Sequence, residues 1–355
     1  MDLPQFSEKI TAHYNLQLPF VLYSLPNQNK VTAMLQNTNE LFSINELNEN
    51  GFVLAPFDFT DDAHIIPEKE SEVFETTIPN SAEKVSPIAI TENEEEQAAY
   101  FKLVEKVIDS IKKRKAQKIV VSRKKEIPLT EFSVPTLLKE LLGVFPSAFR
   151  YIWYHPQTGI WCGASPETLL QVENEAFKTM ALAGTQPYTS RLPVIWGPKE
   201  LDEQQLVTDA ITNSLQQVTS VLKVSTAQTH QAGSLFHLKT EICGFLNNSK
   251  TTLLKIVRVL HPTPAVCGAP QKFAKQFILD HENYDRSFYT GFMGPIHNDG
   301  AKASLFVNLR CMQIENDTAS IFVGGGITIG SKPFQEWRET QNKLQTMLQV
   351  LAPML

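Results

Sequence analysis

Two stretches of the chain carry apolar residues at the three- and four-residue spacing of an amphipathic helix. Leu103, Val104, Val107, Ile108 and Ile111 predict one helix over about Glu95 to Arg114. Leu206, Val207, Ala210, Ile211, Leu215, Val218 and Leu222 predict a second, free of Pro and Gly, over Lys199 to Leu222. Near the C-terminus, Ser331 and Pro333 supply start signals for a helix running to about Val350. Elsewhere the pattern is that of strands. Short apolar runs such as Phe20-Val21-Leu22 and Phe52-Val53-Leu54, separated by turn residues, predict strands and hairpins from Met1 to about Pro67. Lys118 to Ser122 reads as a strand, and Ser304 to Met312 and Ala319 to Val323 read as a hairpin turning at Glu315-Asn316-Asp317, with Arg310, Asn308 and Phe306 on one face. From Glu68 to Glu96 the chain is rich in Glu, Ser, Thr and Pro, which reads as a solvated connector. Strands outnumber helices and do not alternate with them, so the pattern predicts a sheet-rich α+β fold rather than a doubly wound one. A soft boundary near residue 95 divides a strand-rich segment, 1–95, from a segment, 96–355, that holds all the candidate chemistry.

Composition narrows the class of protein. With 355 residues, 42% hydrophobic and 20% charged, the chain can bury a large core. Its net charge of −6 offers a phosphate backbone no attraction, and the one basic cluster, Lys112 to Lys118, is short enough to be a solvated helix end, so no nucleic-acid partner is expected. Cys162, Cys243, Cys267 and Cys311 are scattered, with no zinc spacing, and read as core residues. There is no leader-like N-terminus and no run long enough to span a bilayer, which points to a cytoplasmic protein without membrane contact.

Several side chains could carry chemistry, each with an ordinary alternative. Glu336, Glu339 and Lys343 project from one side of the last helix while Phe334, Trp337 and Leu344 can pack, and Glu200 aligns with Glu203 on the helix near residue 200. Two such helices could hold a hard cation such as magnesium between them, although Glu followed by Lys four residues later is equally the pattern of a surface ion pair. The run Gly324 to Gly326, like Gly184-Thr185, could bring backbone N–H groups against an anion or could form a tight turn; its spacing does not fit a dinucleotide fingerprint. Arg310 suits bidentate capture of a carboxylate. Lys118 opens an apolar strand, where it is either a strand-edge lysine in water or, if buried, a general base. Glu167 could be kept protonated by burial and act as an acid, or sit at a helix N-terminus. His237 and His261 lie in suggestive runs, but satisfied structural histidines have the same look.

Taken together, these blocks resemble the chorismate-utilising enzyme family, in one order and from about residue 95 to the end. The blocks are Lys118-Ile-Val-Val-Ser-Arg123, Gly163-Ala-Ser-Pro-Glu167, Ala181-Leu-Ala-Gly-Thr185, Leu260-His-Pro-Thr-Pro-Ala265 with Gly268 and Pro270, Tyr284-Asp-Arg286, Gly291 to Gly294, Val307-Asn-Leu-Arg310, the glycine run, and Glu336-Trp-Arg-Glu339 with Lys343. The resemblance implies a two-layered β-sandwich flanked by helices and a magnesium-dependent conversion of chorismate to isochorismate. By resemblance the magnesium ligands are Glu203 and Glu339, with Glu200 and Glu336 acting through water or in support. Arg310, Lys343, His237, Thr240, Ala265 and the backbone at Gly184, Thr185, Gly324 and Gly326 are expected to position the substrate. Lys118 is the expected base that activates water and Glu167 the expected acid that protonates the departing hydroxyl.

The same resemblance separates sister reactions. Relatives that make aminodeoxychorismate carry a nucleophilic lysine where this chain has Ala183, and anthranilate synthases, which use ammonia, lack a base at the position of Lys118. Salicylate synthases keep that lysine but usually carry threonine at the position of Ala265, so Ala265 favours stopping at isochorismate. Salicylate formation, and a family member that binds without turnover, are the alternatives. The product would feed menaquinone or catechol siderophore synthesis. A monomer without a glutaminase subunit is expected.

Overall fold

The computed structural model describes residues 2–59, 63–79, 87–187, 194–232, 235–247 and 252–355. Two antiparallel sheets pack face to face. The first is ordered β15 (Gly268–Ala269), β7 (Lys118–Pro128), β19 (Thr318–Ile327), β18 (Cys311–Glu315), β9 (Gly159–Ser165), β8 (Phe149–His155), β1 (Phe20–Ser24), β2 (Lys30–Gln36) and β6 (Ser71–Thr77). The second runs β12 (Thr219–Val224), β14 (Leu235–Leu246), β11 (Ala176–Pro187), β10 (Thr168–Glu173), β17 (Lys302–Val307), β16 (Phe292–His297), β4 (Gly51–Ala55), β5 (Ala63–Pro67) and β3 (Phe42–Ile44), with β13 (Gln228–Ala232) also paired to β14. Strands from residues 1–95 thus enter both sheets: β1 pairs with β8 and β4 with β16.

Alternation along the strands builds the layers. Phe149, Tyr151 and Trp153 of β8 point inward with Tyr23, Trp161 and Phe322, and meet Phe52, Met293 and Phe306 of the second sheet. The Phe149 and Phe306 rings, one from each sheet, stack with centroids 4.0 Å apart. The alternate set of β8, Ile152 and Tyr154, faces outward beneath helices α1 (Leu3–Asn15), α3 (Val134–Gly143) and α7 (Pro333–Leu351). Helices α4 (Pro198–Leu215) and α5 (Leu253–Leu260) cover the outer face of the second sheet, while α2 (Glu94–Lys112) and α6 (Gln271–His281) pack near β7. No described helix is long and apolar enough to cross a membrane.

Four expectations need correcting. The first residues form a helix, capped by Asp2, whose Phe6 and Ile10 are buried; only two inward positions mark it in the sequence. Part of the expected connector is strand β6, an edge strand whose exposed positions hide its register. The helix expected to reach Leu222 ends at Leu215, and the β-branched run beyond it forms β12. The strand expected over Ser304 to Met312 is two strands in different sheets: the chain leaves β17 at Val307 and enters β18 at Cys311, crossing layers through Asn308 to Arg310, with Arg310 at φ +47°. Asn308 fixes this crossing, accepting from the Tyr151 hydroxyl and donating to Phe288 O. A parallel crossing links β9 to β10 through Pro166-Glu167. It is stitched to the other by Ala164 N donating to Arg310 O and Val307 N donating to Glu167 O, both at 3.0 Å.

Behind this seam lies a fully buried ion pair. Arg286 donates twice to the Glu282 carboxylate and also to Val120 O, Val266 O and Thr290 Oγ1, while Glu282 accepts from Ser122 N and Oγ. Burial works against the guanidinium charge, but Glu282 more than reverses this and holds the Arg286 pKa above its ordinary value. Removing one partner leaves the other charge buried, so Glu282→Ala should lower the unfolding free energy by about 3–5 kcal/mol, measured by urea titration; a loss under about 1 kcal/mol would contradict this role.

Candidate active site

The seam forms one end of a pocket. Lys118 is the first residue of β7 and only 1% exposed, because Gly268 and Ala269 of β15 pair beside it and close the sheet edge. Its Nζ lies 2.9 Å from Glu203 Oε1. Glu203 comes from the first turns of α4, which β11 carries across the outer face of the second sheet. Glu167, in the crossing after β9, is 2% exposed. Its oxygen accepts from Thr263 Oγ1 at 3.5 Å. Burial raises its pKa to about 8, against the opposing influences of the Lys118 charge and the Thr263 hydroxyl, so at neutral pH it carries a proton.

The glycine run is neither a turn nor a dinucleotide loop. Gly324, Gly325 and Gly326 lie inside β19, opposite Ser122, Val121 and Val120 of β7. What matters there is the missing side chain. A Cβ on Gly326 would sit 2.5 Å from Glu203 Oε1 and 2.6 Å from Lys118 Cε. One on Gly325 would lie 3.5 Å from Glu336 Oε2 and 3.9 Å from Glu339 Oε1. The bare strand is therefore the surface onto which the carboxylates of α4 and α7 converge.

Each of those carboxylates has a lysine. Glu203 pairs with Lys118, Glu336 with Lys199 at 2.7 Å, and Glu339 with Lys343 at 2.7 Å, one turn along α7. Burial and the neighbouring Glu339 raise the pKa of Glu336, with Lys199 opposing. Burial would raise Glu339 as well, but Lys343, helped by Lys199 and Arg310, brings it below the ordinary carboxylate value. Lys343 also donates to Gly324 O. Phe334, expected to pack, is exposed at the start of α7, while Trp337 and Leu344 are buried.

Among the described residues no group of three or more His, Cys, Asp and Glu side chains is arranged to hold a metal ion. The donor set instead fits a magnesium ion held by two carboxylates, Glu203 and Glu339, with water and the bound molecule completing its shell, the usual manner for this cation.

The pocket wall brings together Lys118, Glu167, Glu203, Glu339, Lys343 and Arg310, with Gly184, Thr185, His237, Ala265, Gly324 and Gly326. Burial draws the Arg310 guanidinium down to about 10, so it stays charged at neutral pH. His237 has its Nδ1 3.1 Å from Gly184 O and 3.2 Å from Thr185 Oγ1, while Nε2 has no partner. Burial, with Arg310 and Lys343 nearby, lowers its pKa to about 3, so the ring is neutral. His261 contacts Phe57 O and does not line the pocket.

Three expected site residues do not line the pocket wall. Glu200 accepts from Gly197 N at the start of α4, the use of an acidic residue at the third helical position. Thr240 accepts from Gln204 Nε2. Glu336 is buried against Lys199. Conversely, the wall includes Leu182, Val266, Tyr289, Thr290, Leu309, Phe322 and Val323, and Thr263 touches Glu167. Thr263 stands within the His-Pro-Thr-Pro block, a possible signal; the apolar positions are indistinguishable in sequence from core residues.

Comparison with known proteins agrees with this geometry. The model of the family described as "Chorismate binding enzyme" matches residues 59–352. The isochorismate synthase EntC of Escherichia coli (strain K12) is 31% identical over 271 residues, covering 72% of this chain and 68% of that protein. The isochorismate synthase DhbC of Bacillus subtilis (strain 168) is 32% identical over 199 residues, 54% of this chain and 50% of that protein. Among solved structures, the chain assigned as the 2,3-dihydroxybenzoate-specific isochorismate synthase DhbC of Bacillus anthracis superposes with a TM-score of 0.80 at 25% identity, covering 98% of this chain and 99% of the other. Anthranilate synthase component I of Streptococcus pneumoniae TIGR4 shares the fold, with a TM-score of 0.68 at 18% identity. With its motifs, its seam pocket and a family match over most of its length, the chain belongs to the chorismate binding enzymes, in their isochorismate synthase branch.

Proposed function

We propose that this enzyme converts chorismate reversibly to isochorismate in a magnesium-dependent reaction, adding water at ring carbon 2 as the hydroxyl leaves carbon 4. The observation that carries the reading is the pairing of a buried lysine and a protonated buried glutamate on the wall of one pocket. Two titratable groups held in opposite roles are what an addition coupled to a departure needs.

Bound magnesium would neutralise the ring carboxylate and draw electron density from the ring. Glu203 and Glu339 would hold it, with Glu336 kept in place behind Glu339 by Lys199. Lys118, whose Nζ now lies 2.9 Å from Glu203 Oε1, would be freed from that partner to face the substrate. Lys118 then takes a proton from water as the new carbon–oxygen bond forms at carbon 2. Both ring double bonds shift, from carbons 1–2 to 1–6 and from carbons 5–6 to 4–5, and Glu167 gives its proton to the hydroxyl leaving carbon 4 as water. In the reverse direction the two groups exchange roles. Arg310 and Lys343 offer positive charge to the substrate's carboxylates, and neutral His237 offers an acceptor at Nε2. Ala183 presents no nucleophile and Ala265 no hydroxyl, which supports release of isochorismate over substitution by the protein or loss of pyruvate. One relative is named as vibriobactin-specific and one similarly folded enzyme as menaquinone-specific, and the product here would supply a catechol siderophore or menaquinone. A soluble monomer acting without a glutaminase is part of the proposal.

Chromatography of chorismate incubated with the protein and magnesium should show isochorismate; salicylate with pyruvate would indicate the lyase reaction, and no turnover would point to a binding protein. Lys118→Ala should reduce turnover about 10²- to 10⁴-fold while chorismate binding, followed by fluorescence, stays measurable; near wild-type rates would remove Lys118 as the base. For Glu167 the active form is the protonated one, so kcat/KM should fall as pH rises through about 8, and Glu167→Gln should lose both the activity and that alkaline limb. An unchanged alkaline limb in Glu167→Gln would assign the proton to another group.

A further inference from the structure

Strand β11 separates from β10 beyond Thr179. The two pair only at Gln171, Val172 and Glu173 with Lys178, Phe177 and Ala176, and the Thr179 hydroxyl ends the contact by donating to Leu169 O at 2.6 Å. Along the other edge β11 stays paired, with Ala181 opposite Thr240 and Ala183 opposite Leu238 of β14, and α4 lays one side chain across this stretch of the two strands. Gln204 Oε1 accepts from Ala183 N at 2.8 Å, and Gln204 Nε2 donates to Ala181 O at 3.0 Å and to Thr240 Oγ1 at 3.0 Å. The carboxamide, 2% exposed, has its oxygen and both its hydrogens engaged.

This plug sits between two parts of the pocket. On the strand side, the register of β11 against β14 slips just after Ala183: Ala183 faces Leu238 and Thr185 faces His237, leaving Gly184 as the extra residue of a bulge at φ +65°. That bulge presents Gly184 and Thr185 to the pocket and gives His237 its Gly184 O partner. On the helix side, Gln204 follows Glu203 directly, so fixing its side chain to β11 fixes how far α4 stands from β7 and hence where the Glu203 carboxylate meets Lys118 and the bare face of Gly326.

We infer that Gln204 is the positioning residue of this site, setting through three hydrogen bonds both the bulge that carries Gly184-Thr185 and the reach of Glu203. Thr240 is the third anchor of that lock. The inference rests on the reading of Glu203 as a magnesium ligand, and its test separates the two. In Gln204→Leu, a side chain of similar bulk that makes none of the three bonds, the dissociation constant for Mn²⁺, followed by electron paramagnetic resonance without substrate, should rise about 10- to 100-fold. The KM for chorismate should rise with it. A role in folding alone would lower the melting temperature and leave both constants at wild-type values, and that result would overturn the inference. Where Gln204→Leu fails to accumulate as folded protein, Thr240→Val supplies the test: it should weaken Mn²⁺ binding about threefold or more, with Thr240→Ser restoring it, and equal affinities in Thr240→Val and wild type would overturn the proposal. Wild-type protein that binds no Mn²⁺ would instead sink the metal reading itself.

Discussion

The buried pair of Arg286 and Glu282 is the constraint from which the rest of the site hangs. It grips three segments distant in sequence: β7 at Val120 and Ser122, the loop at Val266, and the turn at Thr290. Lys118 lies two residues before Val120, Thr263 and Ala265 lie three and one before Val266, and Thr290 N donates to Asn308 O, at the crossing that holds Arg310. An ion pair this deep contributes little net stability over an apolar replacement, because desolvation of both charges offsets their attraction. Its contribution is registration, since a guanidinium with five donors in a fixed fork satisfies its partners in only one arrangement of the three segments.

Charge is the second theme. Three lysines answer three glutamates around the bare strand, and the pairs connect different elements: Lys118–Glu203 joins β7 to α4, Lys199–Glu336 joins α4 to α7, and Lys343–Glu339 runs along α7. On the pocket wall Lys118 and Lys343 are matched by Glu203 and Glu339, while Arg310 has no ion pair among the described residues, so a cation would exchange carboxylate partners and an anionic group would meet a buried positive charge.

What could be read from the sequence was the inventory and its order. The long amphipathic segments of α2 and α7, the sheet-rich character and the charged residues of the pocket wall were legible, because periodicity and side-chain chemistry are local properties. The failures share a cause in tertiary context. Nothing near Asn308 or Arg310 announces that the chain changes sheets there, since an apolar run reads the same whether it continues or turns a corner. Gln204 carries no signal of its own in the sequence; its role depends on α4 laying it across β11 and β14. Glu200 shares a helix face with Glu203, yet its position in the first turn turns its carboxylate back to Gly197. The glycines suggested a loop because backbone freedom is their commonest use, whereas here they serve by what they omit.

That omission limits how the pocket could be remodelled. Position 326 accepts no side chain without striking the Glu203 carboxylate or Lys118, and Lys118, Glu203 and Glu339 are each bound to a partner, so the floor of the pocket leaves little to vary. The walls differ: Leu182, Ala183, Ala265, Val266 and Leu309 border the same space with small or aliphatic groups and no described polar side-chain contacts. A new reaction on this scaffold would be acquired at the walls, among the alanines, over an unchanged floor.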